Sequence, residues 1–179
     1  MYIKNCYNVK EIQQFNIVAT EKKRIENLWI ELTDMNAKRH TKMIIGGVYR
    51  HPDQNITEFK NQFEVVLDTL PSQSLPCIIA DDTNIDLLKC GSHSNTAQYV
   101  DNLMVNNFIP TVLMQTRITK SSATLIDHMY YYVGDCKTRD MLVRSGNFLT
   151  DISNHLPNFT VLIKALKTNT STSKSTHFF

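Results

Sequence analysis

Apolar positions along this chain run first at strand spacing and then at helical spacing. Within residues 24–33, Ile25, Leu28, Ile30 and Leu32 give a partly alternating pattern around Trp29, which predicts a strand. Residues 34–42 are polar and turn-like. The run Met43-Ile44-Ile45-Gly46-Gly47-Val48-Tyr49-Arg50 predicts a second strand, and the two are expected to pair as a hairpin. His51-Pro52-Asp53-Gln54 is a loop by composition, because a proline disfavours helix at the residue before it. Asn55 followed by Glu58 resembles a capping box with Asn in place of Ser or Thr. Behind it Phe59, Phe63, Val66, Leu67 and Leu70 fall on one helical face, and Pro71 ends the run.

The second half continues the alternation. Residues 76–80 form a short, wholly apolar segment, the mark of a strand buried on both faces. A second helix is expected over 96–106, with Tyr99, Val100, Leu103 and Met104 facing inward. Strands are expected at 111–114, 125–132 and 158–163, with a weaker one at 141–143. The fold class is therefore α/β, and no internal repeat is visible. Residues 1–167 read as one domain. Residues 168–179 are rich in Ser and Thr, lack periodicity and read as a disordered tail.

At 179 residues the chain can bury a sizeable core, and its 42% hydrophobic content is ordinary for globular proteins. The net charge of +2 is only mildly basic, whereas nucleic-acid binders carry a stronger or more localised excess. Two basic clusters, at 21–24 and 38–42, read as solvated hairpin residues or phosphate contacts. Cys6, Cys77, Cys90 and Cys136 lack C-x-x-C spacing, which argues against a zinc site and against a disulfide-dense secreted fold. No signal peptide precedes the first strand, and no apolar stretch approaches the roughly 18 residues of a membrane span. The expected setting is intracellular, nuclear or cytoplasmic, with no membrane partner and no small-molecule cofactor, and the sequons at Asn55, Asn158 and Asn169 read as chance matches.

Candidate chemistry gathers in three segments, each at or beside an apolar stretch. The first runs from Ile78 through Asp81-Asp82-Thr83-Asn84, the second is Leu125-Ile126-Asp127-His128, and the third is Asp151-Ile152-Ser153-Asn154-His155. A carboxylate two residues from an amide can orient water and contact a phosphoryl oxygen, although Asp and Asn also end strands as Asx-turns. Asp127 lies inside an apolar strand and needs a partner if buried. His155 is the candidate, because a carboxylate that fixes one imidazole nitrogen frees the other for acid, base or phosphate work. The alternative is an Asp127 that accepts only backbone N–H groups and a His155 that is an ordinary loop residue. Strand alternation puts His128 on the opposite face from Asp127. Tyr49 could reach the same edge or pack in the core, and Arg117 could meet phosphate or pair with a surface acid.

Four segments in order resemble the endonuclease/exonuclease/phosphatase superfamily, and most closely the endonuclease domains of non-LTR retrotransposons of the long interspersed element type. Gly-Gly-Val-Tyr-Arg-His-Pro, ending at Pro52, looks like that group's Gly-Val-x-Tyr-Arg-x-Pro. Asp-Asp-Thr-Asn-Ile-Asp-Leu-Leu, starting at Asp81, resembles Gly-Asp-Phe-Asn-Ile-Asp-Leu-Leu. The stretch from Thr116-Arg117 to Leu125-Ile126-Asp127-His128 looks like the group's Thr-Arg to Leu-Ile-Asp-His block, and Ser153-Asn154-His155-Leu156-Pro157 resembles Ser-Asp-His-x-Pro. The resemblance implies a four-layer α/β sandwich of DNase I-like type and Mg²⁺-dependent hydrolysis of a DNA phosphodiester. It implies that Asp82 is a general acid or base and that Asn84 holds the phosphate with support from Tyr49. His155, paired with Asp127, would stabilise developing charge.

Departures from the pattern shape the expectation further. The early Asn and the metal-binding Glu of the family have no counterpart, so the domain is expected to be N-terminally truncated. Asn154 stands where the family carries an Asp at or near the metal, and an amide lacks the charge that makes a hard-cation site. Thr83 and Asp81 replace Phe and Gly around Asp82. The expected function is a retrotransposon-derived endonuclease-like domain with impaired or absent activity. The alternatives are a non-catalytic nucleic-acid-binding module, using Arg117, Arg50 and the lysines near 38–42, and a phosphatase of the same superfamily.

Overall fold

A computed structural model describes residues 2–17, 25–36, 41–134 and 141–164. The expected hairpin is present: β2 (Ile25–Asp34) and β3 (Thr41–Arg50) pair antiparallel, with Ile25 opposite Arg50. Gly46 lies opposite Trp29, whose indole covers it, so that any Cβ at 46 would fall inside the ring. This close approach explains the glycine in an otherwise apolar strand. The basic cluster at 21–24, Lys38, Arg39 and His40, Cys136 and the tail from 168 lie outside the described residues. Lys42 is described, and its Nζ is 2.7 Å from Glu31 Oε1 across the hairpin.

From β3 the chain crosses through α1 (Ile56–Thr69) into β4 (Cys77–Asp82), which lies parallel to β3. Asn55 caps α1 as its spacing predicts, its Oδ1 accepting from the Thr57 and Glu58 amides at 2.9 and 3.1 Å. After α2 (Ser94–Val105) and β5 (Phe108–Pro110), the pair β6 (Arg117–Ile118) and β7 (Ala123–Thr124) leads into β8 (Asp127–Tyr132). With β1 (Tyr7–Glu11), six strands form one sheet in the order β1-β2-β3-β4-β8-β5. Phe59, Phe63 and Leu67 of α1 pack with Tyr99 and Leu103 of α2 over Ile44, Ile79 and Tyr130 of the sheet.

The other face of the sheet meets a second, two-stranded sheet of β9 (Met141–Asn147) and β10 (Asn158–Lys164). Thr160 Oγ1 lies 3.3 Å from the Met129 sulfur, and Asn158 Nδ2 donates to Asp127 O at 3.1 Å. Met129 and Asp127 alternate with His128 and Tyr130, so β10 and the helices cover opposite faces. Helices, large sheet and small sheet supply three layers of an α/β sandwich among the described residues. No described helix is long and apolar enough to cross a membrane.

Several expectations need correction. The strand placed at 111–114 lies instead at Phe108–Pro110, and Leu113 and Met114 are 69% and 64% exposed. Phe108 is the buried anchor that sets the register, while Thr111 only hooks on, its N and Oγ1 both donating to Met129 O. Met104 is 51% exposed, because one residue after Leu103 the α-helix has already turned its side chain outward. β1 escaped notice because all five of its residues are exposed and show no alternation. The strand at 141–143 extends to Asn147, paired along its length with β10.

Candidate active site

The site forms where two neighbouring antiparallel strands reach the same sheet edge. In the register of β4 and β8, Asp82 stands directly opposite Asp127, and the preceding pair is Asp81 opposite His128. Alternation then sends Asp82 and Asp127 to one face while Asp81 and His128 enter the helix-covered core. On the open face a cavity of about 520 Å³ is lined by Ala80, Asp82, Asp127, Met129, His155 and Leu156, among others. The Asp82 carboxyl is held above its ordinary range by burial first and by the charge of Asp127 second, against the opposing Asn84 N–H and His155.

His155 arrives on the loop between β9 and β10. Its Nδ1–H donates to both carboxylate oxygens of Asp127, each at 3.0 Å, which confirms the pairing expected from sequence and leaves the Nε2 lone pair uncommitted to Asp127. The β6–β7 hairpin holds this loop by its backbone. Leu156 N donates to Thr116 O, Ile118 N donates to Asn154 O, and Arg117 forms a bridge with His155. Ser153 Oγ accepts from His155 N at 3.0 Å and tightens the turn.

Thr116 is a site residue that sequence reasoning missed. It is fully buried, and its Oγ1 accepts from the Ile126 and Asp127 amides at 3.1 and 3.0 Å. A single hydroxyl thereby ties the start of β8 to the hairpin that carries the His155 loop. The only signal in the sequence was a threonine heading a polar stretch after an apolar one.

Arg50 was expected at a nucleic-acid surface, and its geometry points elsewhere. It is 5% exposed, with Nε donating to Thr83 O at 2.6 Å and Nη2 to Asn84 O at 3.3 Å. Nη1 donates to Gln54 O at 2.5 Å and to His51 O at 3.3 Å. Burial lowers the guanidinium pKa, against the opposing charges of Tyr99 and Asp82. A side chain spent on four backbone carbonyls, two after β3 and two after β4, clamps these loops together. It holds Asn84 in a left-handed conformation, φ 53°, that Asn tolerates better than most residues. Asn84 Nδ2 returns a bond to Arg50 O at 3.0 Å, which commits part of the amide that the resemblance assigned to phosphate.

The remaining expected residues are placed as follows. Tyr49 stands opposite Asp82 on β3, half-buried, with its ring edge-on to His51 at 6.5 Å. Arg117 is exposed on β6 next to the His155 loop. Asn154 is exposed, its carbonyl engaged by Ile118 N. Asp86, not singled out from sequence, accepts from Leu125 N at 3.0 Å and so joins the Asp82–Asn84 loop to the entry of β8.

Ligand atoms of Asp82, Asp127 and His155 all lie within 4.8 Å of one another. Two carboxylates and one imidazole nitrogen suit a divalent cation that keeps water in most of its positions. The side chains present therefore fit a cation, with two negative charges to compensate it.

No protein-family model matches the chain, and no curated protein matches it in sequence. Its fold is that of solved endonuclease/exonuclease/phosphatase structures. It is similar to the endonuclease domain of TRAS1, a telomere-specific non-LTR retrotransposon, with TM-score 0.61 and 15% identity over 88% of this chain and 67% of that one. It is also similar to the human Nocturnin catalytic domain, with TM-score 0.60 and 14% identity over 92% of this chain and 62% of that one. For D. rerio TDP2, complexed with a single-strand DNA product, the TM-score is 0.60 and the identity 13%, over 88% and 67%. The chain spans 56% of the length of the Bacteroides thetaiotaomicron mannosyl-6-phosphatase Bt3783, which it also resembles.

Proposed function

We propose that this chain is a retrotransposon-derived endonuclease-like domain whose phosphodiester-handling groups persist and whose cation centre is impaired. The observation that carries the reading is the bidentate Asp127–His155 pair, with Asp82 close enough to share a cation with both. Asp127 fixes the imidazole so that, once Nε2 is protonated, His155 can donate to a phosphoryl oxygen as negative charge grows there. Asp82, whose pKa is raised by burial and by the charge of Asp127, takes a proton from the attacking water and passes one to the leaving oxygen. Asn84 contributes its remaining amide capacity to the phosphate, with support from Tyr49, which stands opposite Asp82 on β3. Asp82 and Asp127 would hold a Mg²⁺ or Mn²⁺ ion, joined by His155 only while its Nε2 is unprotonated, and the bound ion would supply Lewis-acid stabilisation of the phosphate.

The impairment rests on Asn154. A neutral amide where the resembled family carries an acid brings no charge to a cation, and an octahedral cation that dehydrates reluctantly is then bound weakly. DNA is the proposed substrate class, and Arg117, exposed beside the His155 loop, is positioned to contact its backbone. That placement also favours a second reading, in which the chain binds nucleic acid without cleaving it. The test is incubation of the purified protein with supercoiled plasmid and Mg²⁺ or Mn²⁺. Nicking near background, with binding that weakens steeply as salt rises, is expected. Robust nicking that disappears in Asp82→Ala and His155→Ala would contradict impairment.

A further inference from the structure

Beneath the open face lies a second cluster of polar groups, one residue behind the first. Asp81 and His128 are directly opposed across β4 and β8, and the side chains of both are 0% exposed. His128 Nδ1 lies 2.6 Å from Asp81 Oδ1, and Tyr99 of α2 donates its hydroxyl to Asp81 Oδ2 at 3.0 Å. His128 Nε2 lies 3.0 Å from Leu125 O, which can only accept, so Nε2 carries a proton. A second proton lies between Nδ1 and Asp81, which makes the pair an imidazolium and carboxylate or its proton-shared equivalent.

This cluster reaches the site through the backbone. Leu125 O also accepts from Leu87 N at 2.9 Å, and Leu125 N donates to Asp86 Oδ1 at 3.0 Å. His128 therefore holds the carbonyl at which the loop after β4 and the entry of β8 are joined. On the open face, one residue away, Asp82 and Asp127 carry like charges on the same two strands. Like charges directly opposed on neighbouring strands push those strand ends apart, and an opposite-charge pair on the adjacent rung draws them together.

We propose that Asp81 and His128 are positioning residues that fix the spacing of Asp82 and Asp127, and hence the geometry of the cation cluster they form with His155. The inference rests on the proposed reading of that cluster as a cation site, and it states where the geometry of the cluster comes from. A buried ion pair is weak evidence for stability by itself, because apolar side chains of similar volume often replace it without loss. Here its hydrogen bonds lead to the two segments that deliver the site, which a purely space-filling core does not require.

The test compares wild type with Asp81→Asn, His128→Gln and the apolar double replacement Asp81→Leu/His128→Met. A core variant away from the cluster, Phe15→Leu, whose ring packs on Trp29, controls for lost stability. Two quantities are read on the folded proteins: Mn²⁺ affinity, and hydrogen exchange of the Leu87, Leu125 and Asp127 amides. Mn²⁺ affinity is expected to fall about tenfold in all three site variants, including the well-packed double replacement, and to stay at the wild-type value in Phe15→Leu. The three amides are expected to exchange about tenfold faster while those of α1 keep their rates. Unchanged exchange at the three amides in the double replacement would overturn the positioning role whatever the cation does. A wild-type protein that binds no Mn²⁺ would overturn the cation reading of the cluster, and amide exchange would then decide the brace alone.

Discussion

Two aspartate–histidine pairs lie on opposite faces of one sheet, Asp81–His128 as a rung of β4 and β8 and Asp127–His155 joining β8 to the β9–β10 loop, and they differ in nearly everything but composition. Asp127–His155 sits on the open face, with side chains 20% and 40% exposed and both carboxylate oxygens sharing one N–H. Asp81–His128 sits in the core at 0% exposure, with every polar atom turned toward another protein group. The outer histidine retains a nitrogen for a ligand, whereas the inner one has spent both. Residue type thus says little about role until strand alternation decides which face each group meets. Two acids adjacent in sequence, Asp81 and Asp82, end in opposite environments for this reason alone.

Removing one partner from each pair should widen that contrast most. His128→Ala leaves a buried carboxylate and a carbonyl without their partner, a loss of about 3–5 kcal/mol. For a domain of this size that corresponds to a melting-temperature drop on the order of 10 °C. His155→Ala cuts a half-exposed pair and should cost about 1 kcal/mol or less. Thermal melts of the two variants side by side check this. Equal losses would erase the distinction between the pairs.

Arg50 offers the next largest effect. Its guanidinium satisfies two carbonyls of the loop that carries Asp82 and Asn84 and two of the loop after β3. Arg50→Met keeps the stem but leaves those acceptors bare, so a loss of about 2–3 kcal/mol is expected in urea titrations. A DNA-contacting arginine would instead leave stability unchanged and flatten the salt dependence of binding.

Much of this arrangement was legible in the sequence, and the reasons for the gaps are physical. The hairpin of β2 and β3, the capped α1 and the apolar β4 follow from local rules of spacing and capping. Pairing of Asp127 with His155 followed from the need of a half-buried acid for a partner. What stayed hidden depends on long-range register. Only the opposition of Asp81 and His128 across β4 and β8 shows that Asp81 is a core residue and not an extra charge in the loop. Arg50 read as a surface cation because nothing local announces four carbonyls converging on it. Thr116 binds amides eleven residues away or fewer, yet a lone threonine carries no such signal. β1 and β5 were missed or misplaced because short edge strands lack the burial that writes alternation into a sequence.

A smaller effect follows from pH. Burial alone pulls the His128 imidazole down, but the charge and hydrogen bond of Asp81 outweigh it, helped by the Leu125 carbonyl and the charge of Asp127, so its pKa is raised. The folded chain then keeps this proton to higher pH than the unfolded chain, whose imidazole titrates near ~6.5. The stabilisation is fully present below about pH 6.5 and is lost as pH rises through the raised folded value. Urea midpoints of wild type should fall over that window, and those of His128→Gln should fall less. Identical pH profiles would remove His128 as the source.

The central claim, that phosphate-handling groups persist around an under-charged cation centre, is tested most directly by restoring the charge. Plasmid nicking in Mg²⁺ should rise at least about tenfold from wild type to Asn154→Asp, and the gain should vanish when Asp82→Ala or His155→Ala is added. A wild-type protein that already nicks robustly, with Asn154→Asp adding nothing, would contradict the account.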